Sequence, residues 1–436
     1  MDFDEAMDYL RGLTKFGINL GLGRIEELLR RLGDPHKSGL KIVHIGGTNG
    51  KGSTTAMLSA VLREAGYRVG AFTSPHLHSY TERYMINGAQ IEPARIAALL
   101  TELRPHLESM AAEGYEHPTE FEVGTALAFL YFSREEVDYL LLEVGLGGAI
   151  DSTNVAPAML AVITNVAMDH MDYLGHTIKD IAAVKAGIIK PGMPVVTAAT
   201  GAGLQVIEKA CGEKGCRLIR IGQDITWEPV AHSAGGQRFS VTGQKGFYKD
   251  LTIKLLGRHQ QANAATAIGV IESLTETGAV ISAEAIRQGL AAAFIPGRAE
   301  IIGYKPLTII DGAHNYDGAR SFKQALADYF PGRDIVLVIG MLDDKERARV
   351  AEVLVPGVKA VVVTKPDSPR AGDWRRLAEL AGRYAAHIFQ VEDVGEALEK
   401  ATALAWPEDL LCVTGSIYLV AEARGRILAA GNKIME

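Results

Sequence analysis

The segment from His44 to Thr54, HIGGTNGKGST, combines glycines, one lysine and hydroxyl side chains as phosphate-binding loops do. It departs from the usual Walker pattern because Gly52 stands between Lys51 and Ser53. In such loops backbone N–H groups converge on an anion, the following helix adds its dipole, and the lysine neutralises charge. None of this requires a hydroxyl directly after the lysine. The segment therefore predicts a phosphate site, with a glycine-rich turn and a surface lysine as the simpler alternative.

Three more residues have side chains suited to chemistry. Glu143 ends an apolar strand, where a carboxylate can meet Mg²⁺ beyond the carboxyl end of a sheet, although an acid facing solvent is also expected there. His170 alone reads as an ordinary loop histidine, because magnesium prefers oxygen. Lys185 follows Ile181 by four residues on a helical pattern, so partial burial is expected. Its simpler interpretation is a lysine whose stem covers apolar surface.

Alternating strand-like and helix-like segments must position these residues, and they predict an α/β fold with a mainly parallel sheet. The predicted helices cover the region before Gly33 and residues 53–65, 93–112, 120–132, 177–188, 260–276 and 283–293. The predicted strands cover 41–45, 67–72, 137–144, 159–166 and 194–198. Residues 217–256 read as a small antiparallel patch, consistent with the edge of a mixed sheet.

A second unit is predicted after IPGRAE (295–300), which resembles a hinge. LTIIDGAHN, DIVLVIG, KAVVVT and LLCVTGS each read as a strand ending in a polar or glycine turn. This pattern is typical of a smaller Rossmann-like α/β domain. We therefore predict an N-terminal domain over 1–297, with a phosphate loop and a mainly parallel sheet flanked by helices, and a C-terminal domain over 298–436.

Composition narrows the class of protein. The chain has 436 residues, 47% of them apolar and 22% charged, which fits a two-domain globular protein. A net charge of −7 argues against a nucleic-acid partner. Three cysteines without metal-site partners predict reduced thiols and a cytoplasmic protein. The acidic N-terminus does not resemble a signal peptide, and no apolar run approaches membrane-spanning length.

GTNGKGS resembles the loop of the Mur ligase superfamily, and its GKGS ending is most similar to the folylpolyglutamate synthase and dihydrofolate synthase branch. The resemblance extends over essentially the whole chain. Its further motifs are FTSPHL (72–77), ERYMING (82–88), PTEFE (118–122), LEVGLGGAIDSTN (142–154), ITNVAMDHMDYLG (163–175), VKAGIIKPG (184–192), LGRHQQANAATA (256–267), PGRAE (296–300) and DGAHN (311–315). Together these motifs are specific, although none decides the matter alone.

The resemblance implies a nucleotide site between the domains. Lys51 is expected to contact the β- and γ-phosphates of ATP. The neighbouring loop residues supply backbone or hydroxyl groups: Asn49, Gly50, Gly52, Ser53 and Thr54. Asn263 is implied as an adenine contact, Arg298 as a phosphate or interdomain contact, Asp311 as a ribose acceptor, and His314 as a neighbour of the base or phosphates. The simpler interpretation of DGAHN is a turn with an Asn cap on the next helix.

The resemblance also implies two magnesium ions and a folate site. Ser74, Glu143 and His170 are expected as magnesium ligands, although Ser74 alone reads as a turn serine. Lys185 is expected to carry a carbamate that binds the second magnesium. The substrate candidates are Thr119, Phe121 and Asp151. The family often has arginine where this chain has Ala149, which leaves the details of folate docking open.

The resulting hypothesis is a monomeric ligase, with Lys51, His170 and Lys185 as catalytic residues, that uses ATP and Mg²⁺ to add L-glutamate to a reduced folate. Dihydropteroate is a second candidate substrate. One alternative is a Mur-type or other amide ligase, against which FTSPHL and ERYMING argue. The other is a nucleotide-binding regulator without turnover, against which the retained Lys51, Glu143, His170 and Lys185 argue. The sequence leaves open the folate form and the number of glutamates added.

Overall fold

The computed structural model describes residues 1–17 and 21–432, and within them the strands form three sheets. The largest sheet contains β1 (Lys41–Gly46), β2 (Val69–Phe72), β3 (Tyr84–Ile86), β4 (Ala89–Gln90), β5 (Tyr139–Glu143), β6 (Leu160–Ile163), β7 (Val195–Thr197) and β8 (Leu218–Arg220). Its order is β4-β3-β2-β5-β1-β6-β7-β8. The six strands from β2 to β8 in that order are parallel, and β3 and β4 add an antiparallel edge.

The second and third sheets follow in the chain. The second is antiparallel and contains β9 (Thr226–Ser233), β10 (Gly236–Thr242) and β11 (Phe247–Ile253). The third contains β12 (Glu300–Tyr304), β13 (Leu307–Asp311), β14 (Ile335–Ile339), β15 (Ala360–Val363), β16 (Ile388–Gln390) and β17 (Leu410–Thr414), in the order β12-β13-β17-β14-β15-β16. Only β12 is antiparallel to its neighbour there.

Helices cover the faces of the two larger sheets. In the first 300 residues they are α1 (Phe3–Leu13), α2 (Gly23–Arg31), α3 (Lys51–Glu64), α4 (Pro93–Ala112), α5 (Glu120–Arg134), α6 (Met171–Leu174), α7 (Ile178–Lys185), α8 (Gly201–Glu213), α9 (Arg258–Glu276) and α10 (Ala283–Ala292). The rest are α11 (Tyr316–Tyr329), α12 (Arg347–Leu354), α13 (Arg376–Ala381), α14 (Val394–Leu404) and α15 (Ile417–Asn432). No helix in the described ranges has both the length and the apolar character needed to cross a bilayer.

Alternation along the buried strands divides the N-terminal core. Val43 and Ile45 of β1 pack with residues of α3, α9 and α10, whereas Ile42 packs with residues of α1, α2, α4 and α5. Parallel strands covered on both faces are apolar throughout, which explains the unbroken aliphatic runs in the sequence. Because these strands are parallel, their carboxyl ends lie at one edge of the sheet, where polar loops can meet.

The α/β class and the two sheet-based halves are confirmed, and the predicted helices appear with boundaries shifted by a few residues. The antiparallel patch predicted within 217–256 is present as β9–β11, but it does not join the mixed sheet. Of this stretch only Leu218–Arg220 lies at an edge of that sheet, as the parallel strand β8. Phe239, Val241 and Leu251 on one face of the second sheet pack into the core beside α9 and α10, so that sheet is separate. The antiparallel edge of the large sheet is instead the β3–β4 hairpin, at the end of the ERYMING motif.

The antiparallel sheet is fastened to α9 by a buried carboxylate, which gives a stability prediction. Glu272 accepts hydrogen bonds from the backbone N–H groups of Gln244 and Lys245 and from the Tyr248 hydroxyl. Glu272→Gln replaces one acceptor oxygen by a donor, and we expect it to lower the free energy of unfolding by about 2 kcal/mol. Glu276→Gln, one turn later at a more exposed ion pair, should cost under about 1 kcal/mol. Equal costs in urea unfolding would contradict this assignment.

Candidate functional site

The phosphate-type loop lies between β1 and α3, at the carboxyl edge of the large sheet. Gly50 is the N-cap of α3 with φ of +86°, a left-handed conformation that favours glycine. A Cβ atom at Gly50 would lie 2.5 Å from Oδ1 of Asn263, so this close approach also requires glycine. The loop is held from β6, because Asn165 accepts from the Asn49 N–H at 2.7 Å and the Thr164 hydroxyl donates to the Asn49 carbonyl.

Lys51, the first residue of α3, turns its ammonium back into the loop. Its Nζ lies 3.3 Å from the Gly47 carbonyl oxygen and 3.4 Å from that of Thr48. Gly52 and Ser53 line the same cavity, whereas Thr54 does not and its buried hydroxyl has no hydrogen-bond partner in the described residues. The predicted phosphate contacts are thus brought together at one helix N-terminus, with Thr54 outside the lining.

Two adjoining cavities meet at this edge. The larger, about 640 Å³, is lined by the loop and by Glu143, Lys185, Asn263, Arg298 and Asp311. The smaller, about 340 Å³, is lined among others by Thr119, Phe121 and Asp151. Both are also lined by Ser74, Pro75, Gly145, Leu146, His170 and His314. A molecule in one cavity can therefore lie next to a molecule in the other.

Burial shifts the pKa of the carboxylate at the end of β5. Glu143 is 4% exposed, and burial raises its pKa to about 7, although Lys51, Arg298 and the Ser74 backbone N–H work in the opposite direction. The Ser74 contact brings the FTSPHL loop to Glu143. This acid is not a strand-end residue facing solvent, so that alternative is wrong.

Lys185 is buried at the end of α7 and is 3% exposed. Its Nζ donates to the Gly47 carbonyl at 3.0 Å, directly under the phosphate-type loop. Burial, together with the nearby charge of Lys51, lowers its pKa to about 7. A lysine covering apolar surface would keep its ammonium in water, so that alternative is wrong.

Asp169 joins the two domains and was not singled out from the sequence. Its carboxylate is 2.8 Å from Nζ of Lys345 and 3.5 Å from Nε2 of His314, both in the C-terminal half. Burial alone would raise the pKa of Asp169, but the His314 hydrogen bond and the Lys345 charge hold it well below its usual range. The pKa of the adjacent His170 falls to about 4 by burial, so its imidazole is neutral at pH 7.

Asn315 forms a second link between the halves. Its side-chain amide donates to Oδ1 of Asn49 at 3.0 Å and to Asp169 at 3.1 Å. Its Oδ1 accepts from the Gly318 N–H and caps α11. The simpler interpretation of DGAHN, an Asn helix cap, is therefore correct, and the same side chain also contacts the phosphate-type loop.

The remaining nucleotide candidates lie where β13 ends. Asp311 accepts from the backbone N–H groups of Ala299 and Ala313 at 2.8 Å each, so it ties the predicted hinge to the β13 turn. Burial raises the pKa of Asp311, and Arg298 opposes that shift. His314 Nδ1 lies 2.9 Å from the Gly312 carbonyl oxygen.

The substrate candidates line the smaller cavity together, and two of them already accept hydrogen bonds from the protein. Thr119 caps α5, so its hydroxyl accepts from the Glu122 N–H. Asp151 accepts from the Leu146 and Thr153 N–H groups and from the Thr153 hydroxyl, which shapes the VGLGGAID turn (144–151). The chain departs from the resembled family at Ala149, whose N–H donates to Val184 of α7.

Magnesium fits this site only in combination with other oxygen donors. No group of three or more His, Cys, Asp or Glu side chains that could hold a metal occurs in residues 1–17 and 21–432. Glu143 is a buried carboxylate with few neutralising partners, and Ser74 and the neutral His170 line the same cavity. Magnesium commonly binds through one or two carboxylates, water and phosphate oxygens, so this donor set fits a metal that arrives with a nucleotide.

Known proteins match the chain along most of its length. The Mur ligase middle domain matches residues 45–271, and the Mur ligase glutamate ligase domain matches residues 297–417. The dihydrofolate synthase/folylpolyglutamate synthase of Bacillus subtilis is 37% identical over 98% of this chain and 99% of its own.

Two solved structures are similar in sequence and shape. Folylpolyglutamate synthase from Thermotoga maritima has a TM-score of 0.85 at 37% identity, covering 98% of this chain and 97% of its own. Mycobacterium tuberculosis folylpolyglutamate synthase complexed with ADP and AMPPCP has a TM-score of 0.90 at 33% identity, covering 98% and 99%.

The depressed pKa of Lys185 predicts a pH-dependent stability. Between the folded pKa near 7 and the ordinary 10.5 the unfolded chain binds more protons, so stability rises with pH in that window. Relative to Lys185→Met, the wild-type chain should gain about 2 kcal/mol of unfolding free energy between pH 7.5 and 9.5.

Urea unfolding in CO₂-depleted buffer without nucleotide or metal measures this difference. Lys179→Met, at an exposed position of the same helix, should keep the wild-type pH dependence. Parallel curves for wild type and Lys185→Met would show that the Lys185 amine is not desolvated.

Proposed function

This chain belongs to the Mur ligase family, within its folylpolyglutamate synthase/dihydrofolate synthase group, and we propose that it uses ATP to join L-glutamate to a folate. The observation that carries the proposal is the pair of adjoining cavities, one built on the phosphate-type loop and both lined by His170 and His314. Such a pair suits a reaction between a bound nucleotide and a second bound molecule.

The chemistry requires activation of a carboxylate, because its oxygen is a poor leaving group. Attack of that oxygen on the γ-phosphorus forms an acyl phosphate and releases ADP. The amine of glutamate then attacks the acyl carbon, and phosphate leaves from the tetrahedral intermediate as the amine loses its proton. The protein contributes alignment and charge stabilisation rather than a covalent link.

Lys51 and the N-terminus of α3 would hold the β- and γ-phosphates. Asn263 lies against the loop, on the side where we place adenine. We assign Arg298 to the phosphates, Asp311 to the ribose and His314 to the junction of the two substrates. Each oxygen of Asp311 accepts one described backbone hydrogen bond and retains capacity for a ribose hydroxyl.

Magnesium would be held by Ser74, Glu143 and His170, and it supplies positive charge that offsets the charge of the phosphoryl oxygens. Lys185 would add an oxygen ligand as a carbamate. The neutral amine attacks CO₂, an N–C bond forms, and a proton is lost. A pKa near 7 favours this step at neutral pH, because an ammonium has no lone pair.

The smaller cavity would hold the folate, with its ring system near Thr119, Phe121 and Asp151. Lys345 and Arg370, which the C-terminal half contributes to the same cavity, are suited to the carboxylates of glutamate. Dihydropteroate is a second candidate, because the Bacillus subtilis relative is named for both synthase activities. The domain boundary at 297, the cytoplasmic location, the monomeric state and the absence of a nucleic-acid partner stay predictions.

The test of this function is phosphate release from Mg-ATP. We expect release only when both a reduced folate or dihydropteroate and L-glutamate are present, with one amide product per phosphate. Release without glutamate would favour a nucleotide-dependent regulator, and release with a cell-wall precursor in place of folate would favour a Mur-type ligase. Parallel assays with dihydropteroate and tetrahydrofolate decide between one and two activities.

Lys51→Ala should lower kcat at least about a hundredfold in a folded protein, because its charge acts as negative charge redistributes on the phosphates. Lys209→Ala, at a residue with a 78% exposed side chain, should leave turnover unchanged. Near-normal turnover in folded Lys51→Ala would show that the loop does not hold the reacting phosphate.

Substitutions of Lys185 distinguish a carbamate at this position from an unmodified lysine. Lys185→Ala should lose most activity and regain part of it with added short carboxylic acids, which can occupy the vacated space. Lys185→Arg should stay inactive, because guanidinium keeps its positive charge. Carbon-13 NMR in labelled bicarbonate should show a carbamate signal in wild type that both variants lack. An active Lys185→Arg, or a bare amine beside bound nucleotide and metal in a high-resolution map, would contradict the carbamate.

A further inference from the structure

Two loops of the C-terminal half reach the smaller cavity together. Residues 340–346 follow β14 and contribute Leu342 and Lys345 to the lining, and residues 364–373 follow β15 and contribute Arg370. Lys345 lies in a loop and Arg370 lies in a single 3₁₀ turn, Pro369–Ala371, so contacts with the rest of the domain must fix where their charges lie.

Arg347 makes that contact from the first position of α12. Its side chain is only 5% exposed, although an arginine at a helix start is usually at the surface. Its guanidinium donates four hydrogen bonds to backbone carbonyls and makes one ion pair. Nε donates to the Leu342 carbonyl at 3.1 Å, and Nη2 donates to the carbonyls of Met341 at 2.9 Å and Ala371 at 2.5 Å. Nη1 donates to the Asp373 carbonyl at 2.8 Å and lies 2.8 Å from the Asp343 carboxylate.

These acceptors belong to both loops, so one side chain fastens the loops to each other. Two direct contacts add to it, because the Asp343 N–H donates to the Arg370 carbonyl at 2.8 Å and the Arg370 guanidinium pairs with Asp344 at 2.5 Å. A lysine at this position has a single nitrogen and cannot replace a fork with five donors.

We propose that Arg347 is a positioning residue for the amino-acid substrate: it fixes the two loops so that Lys345 and Arg370 face the incoming carboxylates. This role rests on the proposed glutamate ligation. Lys345 itself lies 2.8 Å from Asp169 and 3.3 Å from His170 Nε2, so displacement of its loop also moves charge at the reacting end of the cavity. Neither of these two loops lines the larger, nucleotide cavity, and Arg347 does not line it either.

Arg347→Lys is the main test variant, because it keeps the positive charge and most of the apolar stem. We expect the KM for glutamate to rise roughly tenfold or more, since displacements of about 1 Å have large kinetic effects, while the KM for ATP stays within about twofold. If Arg347 only stabilised the fold, the substitution would instead lower the melting temperature and the fraction of active enzyme without changing either KM.

Lys323→Met is the matched control. Lys323 lies in the same half of the protein and also donates to two backbone carbonyls, those of Val353 and Pro356, but it lines neither cavity. It should lower the melting temperature and leave every KM unchanged. In a Lys345→Met background, Arg347→Lys should raise the KM for glutamate by a smaller factor than in the wild-type background, because Lys345 is one of the two cations that Arg347 positions.

Gly372→Ala tests the same geometry with Arg347 intact. Gly372 has φ of +52°, and an added Cβ would lie 2.8 Å from Cγ of Asp343, so the substitution pushes the loops apart. It should reproduce the rise in the KM for glutamate with an unchanged KM for ATP. The proposal is overturned if a folded Arg347→Lys or Gly372→Ala enzyme keeps the wild-type KM for glutamate. A wild-type enzyme that does not ligate glutamate would overturn the proposed function instead.

Discussion

A buried carboxylate between the two halves of the chain is the constraint on which the site depends. Asp169 is nearly removed from water, and an unpaired charge there would be costly. Its partners Lys345, His314 and Asn315 all come from the C-terminal half. The two halves therefore cannot separate without exposing or stranding this charge. His170 is its neighbour within the N-terminal half, so the contacts that neutralise Asp169 also hold the two halves together beside the larger cavity.

Burial shifts the pKa values of Glu143 and Lys185, which lie beside the phosphate-type loop, in opposite directions. Burial raises the pKa of Glu143 to about 7 and lowers that of Lys185 to about 7, because it penalises whichever form is charged. An acid and a base with pKa values near 7 can each gain or lose a proton at little free-energy cost when a charged ligand binds. Such pairs of perturbed groups are concentrated at functional sites, and here they flank the ammonium of Lys51.

Local sequence patterns predicted the parts of the site that are local. The β1–loop–α3 unit follows from glycines before a helix, and burial of Lys185 follows from its place on the apolar face of α7. Lys345 was missed because its significance comes from a partner in the other domain. Arg347 was missed because its burial depends on two loops folding over it. The antiparallel strands β9–β11 were correctly predicted within 217–256, but alternation along a strand does not say which sheet the strand joins. One feature of the sequence did point to Asp169 as a site residue: it lies in the loop after β6 and directly precedes His170.

Oxygen transfer tests most directly whether this site activates a carboxylate. A folate labelled with ¹⁸O in its terminal carboxylate is incubated with Mg-ATP and L-glutamate, and the released phosphate is analysed by mass spectrometry. An acyl phosphate between the two cavities predicts one ¹⁸O atom in each phosphate, because the attacking carboxylate oxygen leaves with it. Phosphate without label would mean that ATP is split by water, and the pair of cavities would then not be a ligase site.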